Sequence, residues 1–265
     1  MAPPLTSGPV HRPARVHLVH WFCAAAVRLI LGVRIEGREN FATGPAIYCF
    51  NHLNWVDPVV LLAVLPERPK YAMLGPKEAD MTVSGRNRLI MWAGFGIPYR
   101  PEKSDLRETT RRVTRVLQDG WVIAIAGEGR IHRGERELLP LADGPAYFAL
   151  RAGVPIIPIA INGTSWLGWR RRVRVRVGAV LPAGDRPTRA AVAGLTGATT
   201  DALLAMTGDF PDPAPPGRFG RWLTELFNDW PEGARPERGA GDGAAAGRDR
   251  ERARAMRDEP GDGAG

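Results

Sequence analysis

The apolar residues of this chain fall into two spacings that alternate along its length. Three short runs are apolar almost throughout: "AIYCF" (46–50), "WVIAIA" (121–126) and "VPIIPIAI" (154–161). Such runs predict strands covered on both faces. "KYAML" (70–74) and "GIPYR" (96–100) predict shorter extended pieces. "RRVRVRVGAV" (171–180) alternates strictly, which predicts a strand with one wet face carrying Arg172, Arg174 and Arg176. Between these lie segments with helical spacing. "DPVVLLAVL" (57–65) predicts a helix with Asp57 as N-cap and Pro58 at the first helical position. "RNRLIMWAG" (86–94) predicts a short one. "SDLRETTRRVTRVLQDG" (104–120) has Asp105 and Glu108 at capping-box spacing, an apolar stripe of Leu106, Val113, Val116 and Leu117, and Gly120 as its stop. "RFGRWLTELFNDW" (218–230) predicts an amphipathic helix that packs Phe219, Trp222, Leu223 and Phe227 on the core. The recurring strand–helix–strand order gives an α/β class, with a central, mostly parallel sheet flanked by helices. Pro155 and Pro158 suggest that their strand is an edge or terminal one.

The ends read differently. "ARVHLVHWFCAAAVRLILGV" (14–33) is interrupted by Arg15, His17, His20 and Arg28. It falls short of the roughly 20 apolar residues of a membrane span and predicts an amphipathic helix lying on the core or on a membrane. Residues 1–13 are Pro-rich, and residues 231–265 are rich in Gly, Ala, Arg, Asp and Glu with no aromatic residue. Neither buries enough apolar surface to offset ordering entropy, so both are expected to be disordered, leaving 34–230 as the folded domain.

Charge narrows the partners. The chain of 265 residues carries a net +8, almost entirely from arginine; its only lysines are Lys70, Lys77 and Lys103. From residue 231 on, seven arginines face eight acidic residues, so the positive charge belongs to the body. That favours an anionic partner: nucleic acid, a phosphorylated substrate or an acidic membrane surface. No nucleic acid is expected, because the aromatic residues do not interleave with the arginines as a stacking platform requires. Cys23 and Cys49 have no metal or redox spacing and fit a reducing compartment. There is no Walker loop and no cluster spaced for a metal, so no cofactor or metal is expected. "GTSWLG" (163–168) is not a nucleophile elbow, which disfavours a hydrolase.

The candidate chemistry lies in "FNHLNWVDP" (50–58), which follows a predicted strand and opens a predicted helix. Five residues of turn allow Asp57 to reach back to one imidazole nitrogen of His52. That contact fixes the tautomer and leaves the other nitrogen as a base. The plainer alternative is a surface histidine beside an N-cap aspartate.

The stretch "NHLNWVDP" resembles the first block, N-H-x4-D, of the glycerolipid acyltransferase family, the lysophosphatidic acid and glycerol-3-phosphate acyltransferases. "GFGIPYR" (94–100), "IAIAGEGRI" (123–131) and "VPIIPIAI" resemble its second, third and fourth blocks, in family order; "LGPKEAD" (74–80) is similar to a Lys-Glu segment between the first two. The third block departs from Phe-Pro-Glu-Gly-Thr-Arg: Ala126 and Gly127 replace Phe-Pro, and Arg130 follows Gly129 directly. The resemblance implies His52 as general base and Asp57 as its orienter. It implies a substrate-binding set of Arg100, Glu128, Gly129, Arg130, Asn51 and Lys77, with Arg100 and Arg130 on a phosphate and Glu128 orienting the acceptor or Arg100. It also implies an acyl donor, acyl-CoA or acyl carrier protein, and a phosphorylated lysolipid acceptor, foremost 1-acyl-sn-glycerol-3-phosphate. The enzyme would sit as a peripheral or monotopic protein on the cytoplasmic face of the cell membrane. Other acceptors (glycerol-3-phosphate, an ornithine lipid, a glycolipid) and a non-catalytic lipid-binding protein on the same fold are the competing readings.

Overall fold

The computed structural model describes residues 13–77, 92, 94, 96–99, 106–132, 134–184, 186–211, 214 and 216–225. The expected disordered ends apart from Pro13, nearly all of the helix expected over 86–94, Arg100 and Asp105 lie outside them.

The chain opens with helix α1 (Pro13–Ile30) and passes at once into strand β1 (Leu31–Glu36). There follow β2 (Ala46–Phe50), α2 (Asp57–Val64), β3 (Tyr71–Lys77), β4 (Gly96–Tyr99), α3 (Leu106–Gln118), β5 (Val122–Ala126), α4 (Gly144–Ala152), β6 (Ile156–Asn162), β7 (Arg171–Val177), α5 (Arg189–Thr207) and α6 (Arg218–Glu225). The strands form one seven-stranded sheet in the order β1-β7-β6-β2-β5-β3-β4. Every neighbouring pair is parallel except β6 with β7. The α/β class with a mostly parallel central sheet is therefore correct.

Alternation along the strands sorts the core into two layers. Tyr48 and Phe50 of β2, with Val122 and Ala124 of β5, face α1 (Val19, Cys23, Val27) and α2 (Val60, Leu61). Ile47 and Cys49, with Ile123 and Ile125, face α3 (Val113, Val116, Leu117), α4 (Phe148, Ala149, Leu150) and Val192 of α5. Helices thus cover both faces, which is why these strands read as unbroken apolar runs. Gly120, at φ 80°, ends the α3 turn as expected.

Four expectations change. The helix over 14–33 stops at Ile30, because residues 31–36 pair with β7 over their whole length. The strand holding Pro158 is interior, between β7 and β2. The Pro158 carbonyl points to the β7 side and accepts Gly178 N–H, but the β6–β7 ladder begins only at Ile159, so the missing proline N–H breaks no rung. Phe219 and Trp222 do not pack on the core: they are 70% and 54% exposed, whereas Leu223 is packed inward; Phe227 lies outside the described residues. Arg174 and Arg176 are not a solvated row, since both engage Glu36 and Asp209, while Arg172 is exposed.

Candidate active site

The carboxyl ends of β2, β5 and β6 meet at one edge of the sheet, the usual place for reactive loops in open α/β folds. β2 delivers Asn51 and His52 there. The Asn51 amide is committed to the fold: Nδ2 donates to the Ile161 carbonyl at 2.9 Å and Oδ1 accepts Ile161 N–H at 2.7 Å, clasping β2 to β6. Next, the His52 main chain is held on both sides. Its N–H donates to Glu128 Oε2 at 2.7 Å, and its carbonyl accepts His132 N–H at 3.1 Å.

The imidazole is fixed as firmly. His52 Nδ1 lies 2.9 Å from Asp57 Oδ2, and the Phe50 ring meets the imidazole edge-on at 5.9 Å. The same Asp57 oxygen accepts the N–H groups of Leu53 at 2.7 Å and Asn54 at 2.8 Å. An ionised carboxylate only accepts, so Nδ1 carries the hydrogen that meets Asp57, and in the neutral tautomer Nε2 is the nitrogen left to accept. Asp57 is fully buried, whereas the His52 side chain remains 18% exposed. Asp57 is not the helix cap that the Asp-Pro pair predicted. Val56 holds the cap position and Asp57 begins α2, its carboxylate turned back into the loop. The loop's own orphan N–H groups compete for that carboxylate, and they win together with His52.

Glu128 arrives from β5 through a tight approach. Gly127 N–H donates to the Phe50 carbonyl at 2.9 Å. A Cβ on Gly127 would lie 2.8 Å from Cys49 Sγ and from Leu141 Cδ2, so only glycine fits. Gly129 turns the chain with φ 66°. The Glu128 side chain is fully buried: beyond the His52 bond, Oε1 accepts Leu139 N–H at 2.9 Å and lies 2.7 Å from His132 Nε2. Burial alone lowers the His132 imidazole, but Glu128, with smaller help from Glu137 and Glu135, raises it above the ordinary value, favouring an imidazolium. Burial, helped by Glu128, pushes the Cys49 thiol up to about 12, so it is no nucleophile.

The site thus unites His52, Asp57, Asn51 and Glu128. Gly129 and Arg130 are exposed on the loop beyond. Lys77 closes β3 opposite Tyr99, and Arg100 lies outside the described residues. Sequence reasoning missed His132 and Glu135. The Glu128–His132 spacing of four was the available signal, but on a loop it has no helical meaning. Glu135 accepts Gly163 N–H at 2.7 Å and Ser165 N–H at 3.0 Å, bracing the loop after β6. A cavity of about 540 Å³ lined by His17, His20, Tyr71 and Trp121 lies at the amino ends of β3 and β5, away from this edge.

Burial raises the Glu135 carboxyl to about 7 from 4.5. Between those two values the folded protein holds a proton that the unfolded chain has released, so stability falls as pH rises through the window. Glu135→Gln is expected to flatten that fall, read as urea midpoints from pH 4.5 to 7.5. An unchanged slope would show that Glu135 titrates normally.

The model of the family described as Acyltransferase matches residues 32–162, which contain the whole His52–Asp57–Glu128 arrangement. Residues 32–162 belong to the acyltransferase family. A 1-acyl-sn-glycerol-3-phosphate acyltransferase of Haemophilus influenzae is 30% identical over 167 residues, covering 57% of this chain and 63% of that protein. One of Cocos nucifera is 30% identical over 160 residues, covering 56% and 47%. The matched region thus spans about half to two thirds of these relatives. The 1-acyl-sn-glycerophosphate (LPA) acyltransferase from Thermotoga maritima shares the fold of this acyltransferase, with a TM-score of 0.60 over 73% of this chain and 80% of that one, at 19% identity.

Proposed function

We propose that this acyltransferase moves a fatty acyl group from acyl-CoA or acyl carrier protein to the free hydroxyl of 1-acyl-sn-glycerol-3-phosphate, forming phosphatidic acid for phospholipid synthesis. The observation that carries this reading is the His52–Asp57 pair, with Nδ1 tied at 2.9 Å and Nε2 left as base. His52 Nε2 takes the hydroxyl proton as the oxygen attacks the thioester carbonyl carbon. The C–O bond forms and the C–S bond breaks. The departing thiolate then recovers the proton from the imidazolium, which Asp57 stabilises meanwhile. The names of the curated relatives support the acceptor. Arg100, next after Tyr99 at the carboxyl end of β4, and the exposed Arg130 supply guanidinium groups suited to its phosphate.

The protein works at the cytoplasmic membrane face. No described helix is long and apolar enough to cross a membrane. α1 buries Val19, Cys23 and Val27 but leaves Leu18, Trp21, Phe22 and Leu29 exposed, an outer stripe suited to lying on lipid.

The test is labelled acyl-CoA with the purified protein and a panel of acceptors: 1-acyl-sn-glycerol-3-phosphate, glycerol-3-phosphate, an ornithine lysolipid and a glycolipid. Preference for another acceptor would redirect the reading, and acyl-CoA turnover without any acceptor would overturn it. Arg100→Ala is expected to raise KM for the phosphorylated acceptor roughly tenfold or more, the loss of a charged hydrogen bond, with kcat less affected. An unchanged KM would remove Arg100 from the phosphate site.

A further inference from the structure

We propose that the segment over 166–172, the loop before β7 and the first two residues of that strand, and helix α6 together form a docking surface for an anionic lipid bilayer, coupled to the loop that carries His52 and Asp57. This goes beyond the α1 contact above, and its binding arm does not depend on acyl transfer.

Three large aromatic side chains on these two segments face solvent: Trp169 (69% exposed), Phe219 (70%) and Trp222 (54%). Phe219 and Trp222 lie one turn apart on α6 with ring centroids 5.7 Å apart. The segments beneath them are well fastened. Leu167 N–H donates to Thr224 Oγ1 at 2.8 Å, and Gly220 packs so closely on the Leu167 carbonyl that no Cβ would fit. Arg171 donates to the carbonyls of Trp166 and Ala214. The aromatics are therefore held outward by a rigid base rather than left over from a loose end.

The charge around them is mostly positive. Residues 166–172 and 216–225 contain five arginines against one acidic residue, Glu225 at the last position of α6, and Arg170, Arg172 and Arg218 are exposed. The nearby carboxylates Glu36 and Asp209 are already engaged by Arg174 and Arg176. Tryptophan favours the headgroup level of a bilayer, and a guanidinium there meets lipid phosphate. Exposed aromatics beside arginines that outnumber the carboxylates complement an anionic bilayer in both apolar and electrostatic terms.

The surface also bears on the site. Trp55, inside the loop from His52 to Asp57, donates its indole N–H to the Leu223 carbonyl of α6 at 3.3 Å. Arg170 N–H donates to the Ile30 carbonyl at the end of α1, so the surface adjoins the lipid-facing helix. A bilayer seated here places lipid beside the catalytic loop.

The experiment is co-flotation of the full chain with phosphatidylcholine vesicles, with and without phosphatidylglycerol. Wild type is expected to bind the anionic vesicles more tightly. Arg172→Gln/Arg218→Gln should lose roughly fivefold in partitioning per arginine on anionic vesicles. Phe219→Ala/Trp222→Ala should bind both vesicle types more weakly. Circular dichroism checks that each variant folds; if the aromatic pair does not, the exposed arginine pair decides alone. Both variants partitioning like wild type would overturn the proposal. So would a wild type that binds a single-stranded oligonucleotide but no vesicles, or a wild-type dimer that the aromatic variant turns into monomer. If vesicle binding falls as expected while no acceptor is acylated, the docking surface stands and the acyl-transfer reading fails.

Discussion

His52→Ala is expected to lower kcat for acyl transfer by about 10²–10⁴-fold while leaving the protein folded. The fold does not depend on the imidazole: the bonds that hold residue 52, to Glu128 and from His132, belong to its main chain. What disappears is the one nitrogen kept free for a proton. Asp57→Asn should also be severe. Its amide can present N–H where the carboxylate accepts from His52, Leu53 and Asn54, upsetting the tautomer and removing support for the imidazolium. The double variant should be little worse than His52→Ala, since groups that act as a unit do not add. Steady-state kinetics on the three proteins, with thermal unfolding as the control, check this. A folded His52→Ala protein that keeps more than about a tenth of wild-type kcat would remove His52 as base.

Glu128→Ala is expected to cost the most stability of any single change at the site. It strands the part-buried N–H groups of His52 and Leu139, at up to about 1–3 kcal/mol each. It also leaves the buried His132 imidazole without its carboxylate; breaking a buried pair costs about 3–5 kcal/mol. These costs overlap, yet even part of them is large against the roughly 5–15 kcal/mol that holds a domain together. kcat should fall as well, because the His52 main chain is freed. Glu128→Gln keeps an acceptor and the volume, and should lie between. Urea midpoints and kcat, measured where both variants remain folded, separate this brace from a substrate contact. An unchanged midpoint with a raised acceptor KM would mean that Glu128 meets substrate instead.

The central strands and the His52–Asp57 contact were legible in the sequence because each is local. β2, β5 and β6 are short apolar runs bounded by breakers, and Asp57 stands one turn from the histidine it holds. The rest depended on distant partners. Nothing in "LILGVRIE" marks where a helix yields to a strand; pairing with β7 decides it. α4 begins at Gly144-Pro145, which reads as a turn, and α5 carries Gly194 and Gly197 among alanines and threonines, too even for a period to show. The apolar stripe of α6 announced a helix with one greasy side but not what that side would meet. The third block drew Glu128 to notice as a residue that would orient the acceptor or Arg100. That both of its oxygens would be spent on His52, Leu139 and His132 is a fact of folding, not of spacing.

The pairing of β1 with β7 also carries a cost in time. Glu36 and Arg176, bonded at 2.8 Å across these strands, are 140 positions apart. At about 5–20 residues per second a ribosome needs roughly 7–30 s to make the chain between them. Through that interval Leu31, Val33 and Ile35 have left the ribosome before the strand they pair with exists, and an apolar strand with a free edge invites pairing with another nascent chain. Arg34 and Glu36, charged residues on that strand, stand where such pairing is most easily discouraged. Slowing translation between codons 37 and 170 should therefore raise the insoluble fraction of this protein, whereas slowing it after codon 177 should not.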